Sequence, residues 1–312
     1  MANIDHPATL QELSVEYAKK QPHQVEYLTE ESPILARIKW EPASHPLWNV
    51  TEKVTGISGA GFVEMNAKLP KASVDSKLEH VDLGIMGAEI FVPEDKAQAM
   101  GGQAKYFAKK MPTILKDAGN KTEQHILYKN YLQYAIDNEK VANAGGSAAV
   151  SGDTGLYSLI IVRSVPGENC GLYSPEGFKN GAMLDVKPTY DGALYHDEEG
   201  VLGFGVRIKG YFGMQLMNPK TVSAIVNISS SKLPSIKQIN TALVDAQARP
   251  GNTAIYLHPR LKSWIETEYK KEILRTVNSD KGLNFTVSTW NDIPLISSYN
   301  FTDGNDAAVS FA

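Results

Sequence analysis

The residues best equipped for chemistry in this 312-residue chain are few and scattered. Seven histidines stand at positions 6, 23, 45, 80, 125, 196 and 258, with no pair at the i, i+4 helical spacing that would hold a metal ion. Cys170 is the sole cysteine, so an intramolecular disulfide and a cysteine-rich zinc site are both excluded. No neighbouring residue marks it as an activated thiol, and it reads as a small buried side chain. The run Asp197-Glu198-Glu199, with Asp191 nearby, gathers carboxylates without the alternating ligand spacing of a calcium loop. Closed by Gly200, it reads as a solvated hairpin turn. Gly203-Phe204-Gly205 lacks the third glycine and following helix of a dinucleotide loop, and reads as a glycine-bearing strand. No phosphate loop ending in Gly-Lys-Ser/Thr and no Gly-x-Ser-x-Gly elbow occurs. The densest basic stretch, Lys262, Lys270, Lys271 and Arg275, is interleaved with Glu266, Glu268 and Glu272 at salt-bridging spacing, which favours a solvated helix face over a DNA patch. Catalytic, cofactor-binding and metal-binding residues are therefore predicted as none, and the chain is not read as an enzyme.

Composition points the same way. With 42% hydrophobic and 21% charged residues, the chain has the usage of a folded globular protein with a real core. A formal charge of −4 supplies no basic excess for general nucleic-acid binding. Neither a basic leader with an apolar core nor 18 consecutive apolar residues occurs, so no signal peptide or membrane span is expected.

The elements that must position any function change character along the chain. Thr9 and Glu12 form a capping box, after which Leu10, Leu13 and Tyr17 share one face of a short helix that Pro22 ends. A second short helix is predicted from Ser32 and Pro33. Prolines at 22, 42 and 46 keep this region an arm, where Trp40 and Trp48 have little local core to join. From Val50 to Val92 the period becomes two, with a polar tip around Lys68–Lys77, and Val81, Leu83 and Ile85 mark the clearest strand. Such a two-stranded excursion cannot bury both faces on itself, so something else must cover it. Residues 94–143 read as helix, interrupted at Pro112 and Gly119-Asn120 and stopped at Gly145-Gly146. Its second half places Leu127, Tyr131, Tyr134 and Ala135 opposite Lys129, Gln133, Asp137 and Lys140. Strand-like runs at 156–162, 201–208, 253–257, 285–287 and 293–296 then interleave with helices over 235–247 and from Pro259. There is no strict βαβ rhythm, so the fold class is α+β.

That order of parts, a proline-broken arm, a long β excursion, a long helix and then an α+β domain, resembles the Hong Kong 97 type fold of tailed-phage coat proteins. Three segments are similar to its epsilon-15-like group: Gly167-Glu168-Asn169-Cys170-Gly171-Leu172-Tyr173-Ser174-Pro175-Glu176-Gly177 after the strand Ser158–Val162; Gly213 to Val226-Asn227-Ile228; and Ala254–Arg260 with the later Asp292-Ile293-Pro294-Leu295. Asn218 and Ala224 depart from the Asp and Arg of that group, while Lys220 keeps a positive charge in place of another Arg. The resemblance implies an N-terminal arm (1–49), an extended β loop (50–93), a peripheral domain with its spine helix (94–146), and an axial domain plus strands returning to the peripheral domain (147–312). It implies a major capsid protein that assembles with itself into pentamers and hexamers of an icosahedral shell. The shell would enclose double-stranded DNA without sequence-specific binding, in the virion capsid, after assembly in the host cytoplasm and away from membranes. A separate scaffolding protein is expected because the chain opens directly on the arm; a portal and a decoration protein are further partners, and no cofactor is implied. Trp40, Trp48, Phe62, Met65 and Leu69 are the candidate assembly contacts, packing within their own subunit being the alternative for each. Two other readings stay open: an encapsulin-like nanocompartment shell, and a hydrolase whose histidines or acidic turn converge in a pocket.

Overall fold

The computed structural model describes residues 32–65, 67–145, 155–175, 184–280, 283–304, 306 and 309. The helix read after Thr9, with Leu10, Leu13 and Tyr17, lies outside these residues.

Three sheets organise the chain. The largest has seven strands in the order β13 (Ile273–Asp280), β14 (Leu283–Trp290), β15 (Ile293–Ser297), β12 (Thr253–Leu257), β6 (Tyr157–Arg163), β11 (Val222–Ile228) and β5 (Val141–Asn143). Every residue of β6, β11 and β12 is buried, because helices cover both faces of the sheet. Alternate residues go to opposite sides. Ile160, Val162, Val222, Ala224 and Tyr256 pack on Ile126, Leu127, Tyr131 and Ala135 of the long helix. Leu159, Ile161, Ile225 and Ile255 pack on Ile239 and Leu243 of α4 (Ile236–Asp245) and on Leu261 and Ile265 of α5 (Pro259–Glu268). The first residues of α4 are held by a capping box between Ser235 and Gln238.

A second sheet is built around the 15-residue β10 (Leu202–Leu216). β4 (Gly84–Pro93) runs antiparallel along one edge; β9 (Tyr195–His196), β8 (Leu184–Pro188) and β7 (Asn169–Tyr173) follow one another along the other, and β1 (Trp40–Pro42) adds to β7 in parallel. Ile90, Val92, Val206 and Ile208 of this sheet pack on Phe107, Met111 and Leu115. The glycine-bearing segment is a strand, as read: a Cβ at Gly203 would lie 2.3 Å from the Val92 carbonyl oxygen, so packing explains this glycine. The acidic run is likewise a turn, in which Asp197 Oδ1 accepts the N–H groups of Glu199 and Val201 and Gly200 has φ +79°. The third sheet is a separate two-stranded ribbon, β2 (Trp48–Ser58) and β3 (Ser73–Asp82).

The structure corrects several readings. Ser32 and Pro33 start a single turn closed by Arg37 N–H and Ile38 N–H on the Ile34 carbonyl, not a helix. The return strand of the β excursion is not continuous. It breaks at Leu83, whose N–H donates to the Leu47 carbonyl, and the inward phase inverts there: Leu83 is buried, Ile85 is exposed, and Ile90 and Val92 point inward again. Pro112 and Gly119 do not interrupt the helix. It is broken earlier, at Gly101-Gly102, between α1 (Glu94–Ala99) and α2 (Gln103–His125), and α2 runs through both positions. The roughly 3 kcal/mol cost of an internal proline is offset by the buried stripe Phe107, Met111, Leu115 and Gly119. A π-helical segment, Ile126–Leu132, then leads into α3 (Gln133–Asp137), and the helix ends there instead of at Gly145-Gly146. The stripe continues at strict four-residue steps through 123, 127, 131 and 135, which on a 3.6-residue turn drifts by about 40° per step. The wider i→i+5 turn of the π segment returns the stripe toward the sheet. Finally, α5 stops at Glu268, so Lys270, Lys271 and Arg275 do not share its face.

Candidate functional site

The least satisfied surface of the molecule is the β2–β3 ribbon. Its register runs from Trp48↔Asp82 to Ser58↔Ser73, with a bulge between Val54 and Gly56. Directly opposed residues share a face, so this register separates two unlike sides. Trp48, Val54, Ile57, Val74 and Leu78 fall on one; Lys53, Asp75, Lys77 and Glu79 fall on the other. The charged side supplies its own partners, Lys53 and Lys77 lying 3.2 and 3.9 Å from Glu79 Oε2. The more apolar side, which also carries Glu52, Ser76 and the His80–Asp82 contact, leaves Val54, Ile57, Val74 and Leu78 exposed among the described residues. At the tip Phe62, Met65 and Leu69 are 110%, 93% and 72% exposed. Three of the five candidate contacts are thus bare.

The two tryptophans are placed differently, each partly covered by its own chain. Trp48 stacks on His45 at 4.5 Å and lies 5.3 Å from His80, at the root of the ribbon's apolar side. Trp40 donates Nε1–H to the Leu35 carbonyl, meets Phe212 edge-on at 5.7 Å, and lies flat on Gly171. A Cβ at Gly171 would stand 2.5 Å from the Trp40 ring. Gly171→Ala should therefore destabilise the subunit by about 1–3 kcal/mol through overpacking; a thermal melt unchanged from wild type would contradict this contact.

The ribbon is rooted firmly. Asn49 Nδ2 and Thr51 Oγ1 both donate to Gln215 Oε1, at 2.6 and 3.0 Å, tying β2 to the end of β10. The arm is rooted by Glu123, a residue that sequence reasoning missed. Its Oε2 accepts the N–H groups of Ile34 and Leu35 at 3.0 and 3.2 Å, and its Oε1 accepts Asn300 Nδ2 at 3.0 Å and the Ser298 hydroxyl. One buried carboxylate thus joins the arm, the spine helix and the segment after β15. Burial pushes its pKa up, against the pull of these four donors. The sequence signal was its phase: position 123 falls on the apolar stripe, four residues from Gly119 and from Leu127.

Tyr157, His258, Arg260 and Asp303 form one cluster. Tyr157 donates to Asp303 at 2.6 Å and Arg260 Nη2 lies 3.0 Å from the same carboxylate, which holds Asp303 below the usual carboxylate range. His258 is 3.9 Å from Asp303, but its Nδ1 accepts Arg260 N–H at 3.1 Å and burial lowers its pKa, so we assign it the neutral form and no ion pair. This cluster pins the segment around Asp303 to the β12–α5 junction. A groove of about 420 Å³ opens between β4, the spine helix and β10, lined by Ile85, Met86, Ile126 and Phe212 with Asp82 and Lys121. Lys121 there pairs with Asp117 at 2.7 Å, and Asp82 lies 3.3 Å from His80. Among the described residues no group of three His, Cys, Asp or Glu side chains could hold a metal ion, and no helix is long and apolar enough to cross a membrane.

Cys170 is buried, as read, and lies 3.4 Å from Glu41 Oε2. Burial and the Glu41 charge push its thiol up to about 12. It should resist iodoacetamide at pH 8 in the native subunit and react once the chain is unfolded; native labelling at the denatured rate would contradict this environment.

No protein-family model matches the chain, and no curated protein matches it. Solved structures do. A chain in the near-atomic-resolution structure of bacteriophage Epsilon15 superposes with a TM-score of 0.50 at 15% identity, over 85% of this chain and 87% of that one. A chain of the bacteriophage JBD30 capsid gives a TM-score of 0.52 at 8% identity, over 86% and 91%. The SrpI encapsulin of Synechococcus elongatus PCC 7942 fits more loosely, with a TM-score of 0.46 at 9% identity over 65% and 90%, too distant to weigh.

Proposed function

We propose that this chain, which has the Hong Kong 97 type fold of tailed-phage coat proteins, is a major capsid protein that assembles with copies of itself into the pentamers and hexamers of an icosahedral shell around double-stranded DNA. The observation that carries the reading is the ribbon: a firmly rooted element whose Val54, Ile57, Val74 and Leu78 and tip residues Phe62, Met65 and Leu69 are left exposed by the described residues. Contiguous exposed apolar surface marks an interaction site. Its burial on a neighbour is worth roughly 25 cal/mol per Å², less the cost of association, and the contact is repeated around a closed lattice.

The same reading accounts for the rest of the molecule. A shell subunit works by geometry, in keeping with titratable groups that are consumed in pinning segments together. A net charge of −4 lets it enclose DNA without gripping it in a sequence-specific way. The protein would reside in the virion capsid after assembly in the host cytoplasm, with a scaffolding protein, a portal and a decoration protein as partners.

Negative-stain electron microscopy of the purified protein, expressed alone and together with candidate scaffolding proteins, tests this. Icosahedral shells or capsomer rings are the expected result. Closed, uniform shells of virion size from the coat alone would remove the separate scaffold, and small shells filled with protein cargo would favour a nanocompartment. A persistent monomer under every condition would end the coat reading.

A further inference from the structure

Among the described residues Arg163 is a charge without a counter-charge. It is the last residue of β6, opposite Thr253, and only 7% of it is exposed. Its Nε–H has no acceptor. Its Nη2 finds only the Lys220 carbonyl at 3.5 Å and Gln247 Oε1 at 3.4 Å, both at the outer limit of a hydrogen bond. Among the described residues no carboxylate pairs with it. The acids of the adjoining loops are committed elsewhere, Asp245 to Lys140 at 3.6 Å and Glu168 to Asn218 Nδ2 at 2.9 Å. Nearby charge is of the same sign: Lys220 is exposed, as is Arg249, whose N–H donates to Thr253 Oγ1. A guanidinium stays charged at any pH a protein survives, and a buried charge left unpaired is costly.

We infer that Arg163 is an interface anchor, a seat for a carboxylate that a second copy of this chain supplies on assembly. The guanidinium fork matches a carboxylate in two parallel hydrogen bonds. Carboxylates are in surplus, 35 acidic against 31 basic residues, and unpaired ones stand at the surface. Glu198 and Glu199 are exposed on the β9–β10 turn without a side-chain partner among the described residues. That turn and the Arg163 corner lie beyond opposite ends of β10, whose 15 residues span about 50 Å of extended chain, so within one subunit they cannot meet. A contact closing a ring joins two unlike patches of the same chain, as an acidic turn and a basic corner would. The inference rests on the coat reading and adds to it a polar anchor remote from the ribbon.

Two measurements test it. In a density map of the assembled particle, a carboxylate of a neighbouring copy should lie within hydrogen-bonding distance of Arg163; an acid of its own chain there, a bound phosphate, or no anion would overturn the inference. In solution, Arg163→Met should leave the melting temperature of the dissociated subunit unchanged or higher and raise the concentration needed for assembly at least about tenfold, with Arg163→Lys falling between Met and wild type. Assembly of Arg163→Met at the wild-type concentration, or loss of the subunit's own thermal transition, would show a role confined to the single chain. Failure of the wild-type protein to assemble under any condition would remove the coat reading itself, and the inference with it.

Discussion

Replacing Phe62, Met65 and Leu69 together by serine is expected to abolish shell formation while shifting the subunit's melting temperature by no more than about 2 °C. The two halves of this expectation have one cause. Side chains 110%, 93% and 72% exposed contribute almost nothing to the fold of their own subunit. Buried on a neighbour, each would be worth roughly 1.5–3 kcal/mol before the cost of ordering the tip. In a shell that loss recurs at every subunit. The ribbon contains its own control. Lys77→Ser removes a partner 3.9 Å from Glu79 on the charged face, and exposed pairs of this kind are worth about 0–1 kcal/mol, so assembly should persist. Light scattering and electron microscopy read the outcome. Normal shells from the triple variant would show that the tip is not an assembly contact.

Glu123→Ala should be the most damaging single change to the subunit itself, by about 4 kcal/mol. Truncation leaves the amides of Ile34 and Leu35, the Ser298 hydroxyl and the Asn300 amide without their acceptor, and a buried unsatisfied group costs roughly 1–3 kcal/mol. Glu123→Gln should cost less, about 1–3 kcal/mol, because its carbonyl can still accept from the arm and its NH2 can face the Ser298 oxygen, while the Asn300 amide loses its acceptor. The two proteins should also diverge with pH. The native pKa of Glu123 is raised above the ordinary value of 4.5, so the folded state holds this proton more tightly than the unfolded chain. The resulting stabilisation is full below pH 4.5 and is lost as pH rises through the native pKa. Gln has no such dependence, so the stability of wild type relative to Glu123→Gln should fall across that window. Denaturant midpoints at a series of pH values measure this; a gap that widens in favour of wild type as pH rises would contradict the burial of this carboxylate.

Glu123 and Arg163 also show where sequence reading stopped. Each is a charged residue in an apolar context, one on the four-residue stripe of the spine helix and one closing Leu159-Ile160-Ile161-Val162. Their phase was visible; their partners were not, because Ser298 and Asn300 are 175 and 177 residues from Glu123 along the chain. β7 and β11 went unread for a related reason. A strand buried on both faces has no alternation, and only the sheet beside it distinguishes it from other short apolar runs.

What the amino-acid order determined by itself is local. Period two marked the ribbon as extended but not its legs, since Ser73–Lys77, read as part of the polar tip, belong to β3; period near four fixed the buried stripe of the spine helix, β12 was legible residue for residue as Thr253–Leu257, and Gly200 announced its turn. The exposure of Phe62, Met65 and Leu69 was left open by the order alone, which allowed packing within the subunit for each, and the tertiary structure leaves them bare. Tertiary structure alone decided that the helix runs through Pro112, since only the packing of Phe107, Met111 and Leu115 on β4 and β10 offsets a proline. It alone decided that the strand phase inverts at Leu83, where the chain leaves the ribbon for β10. And it alone left Arg163 without a counter-charge among the described residues. Local periodicity follows from backbone geometry within a few residues, whereas these outcomes depend on which distant segments share a surface, a sum of long-range contacts that no window of sequence contains.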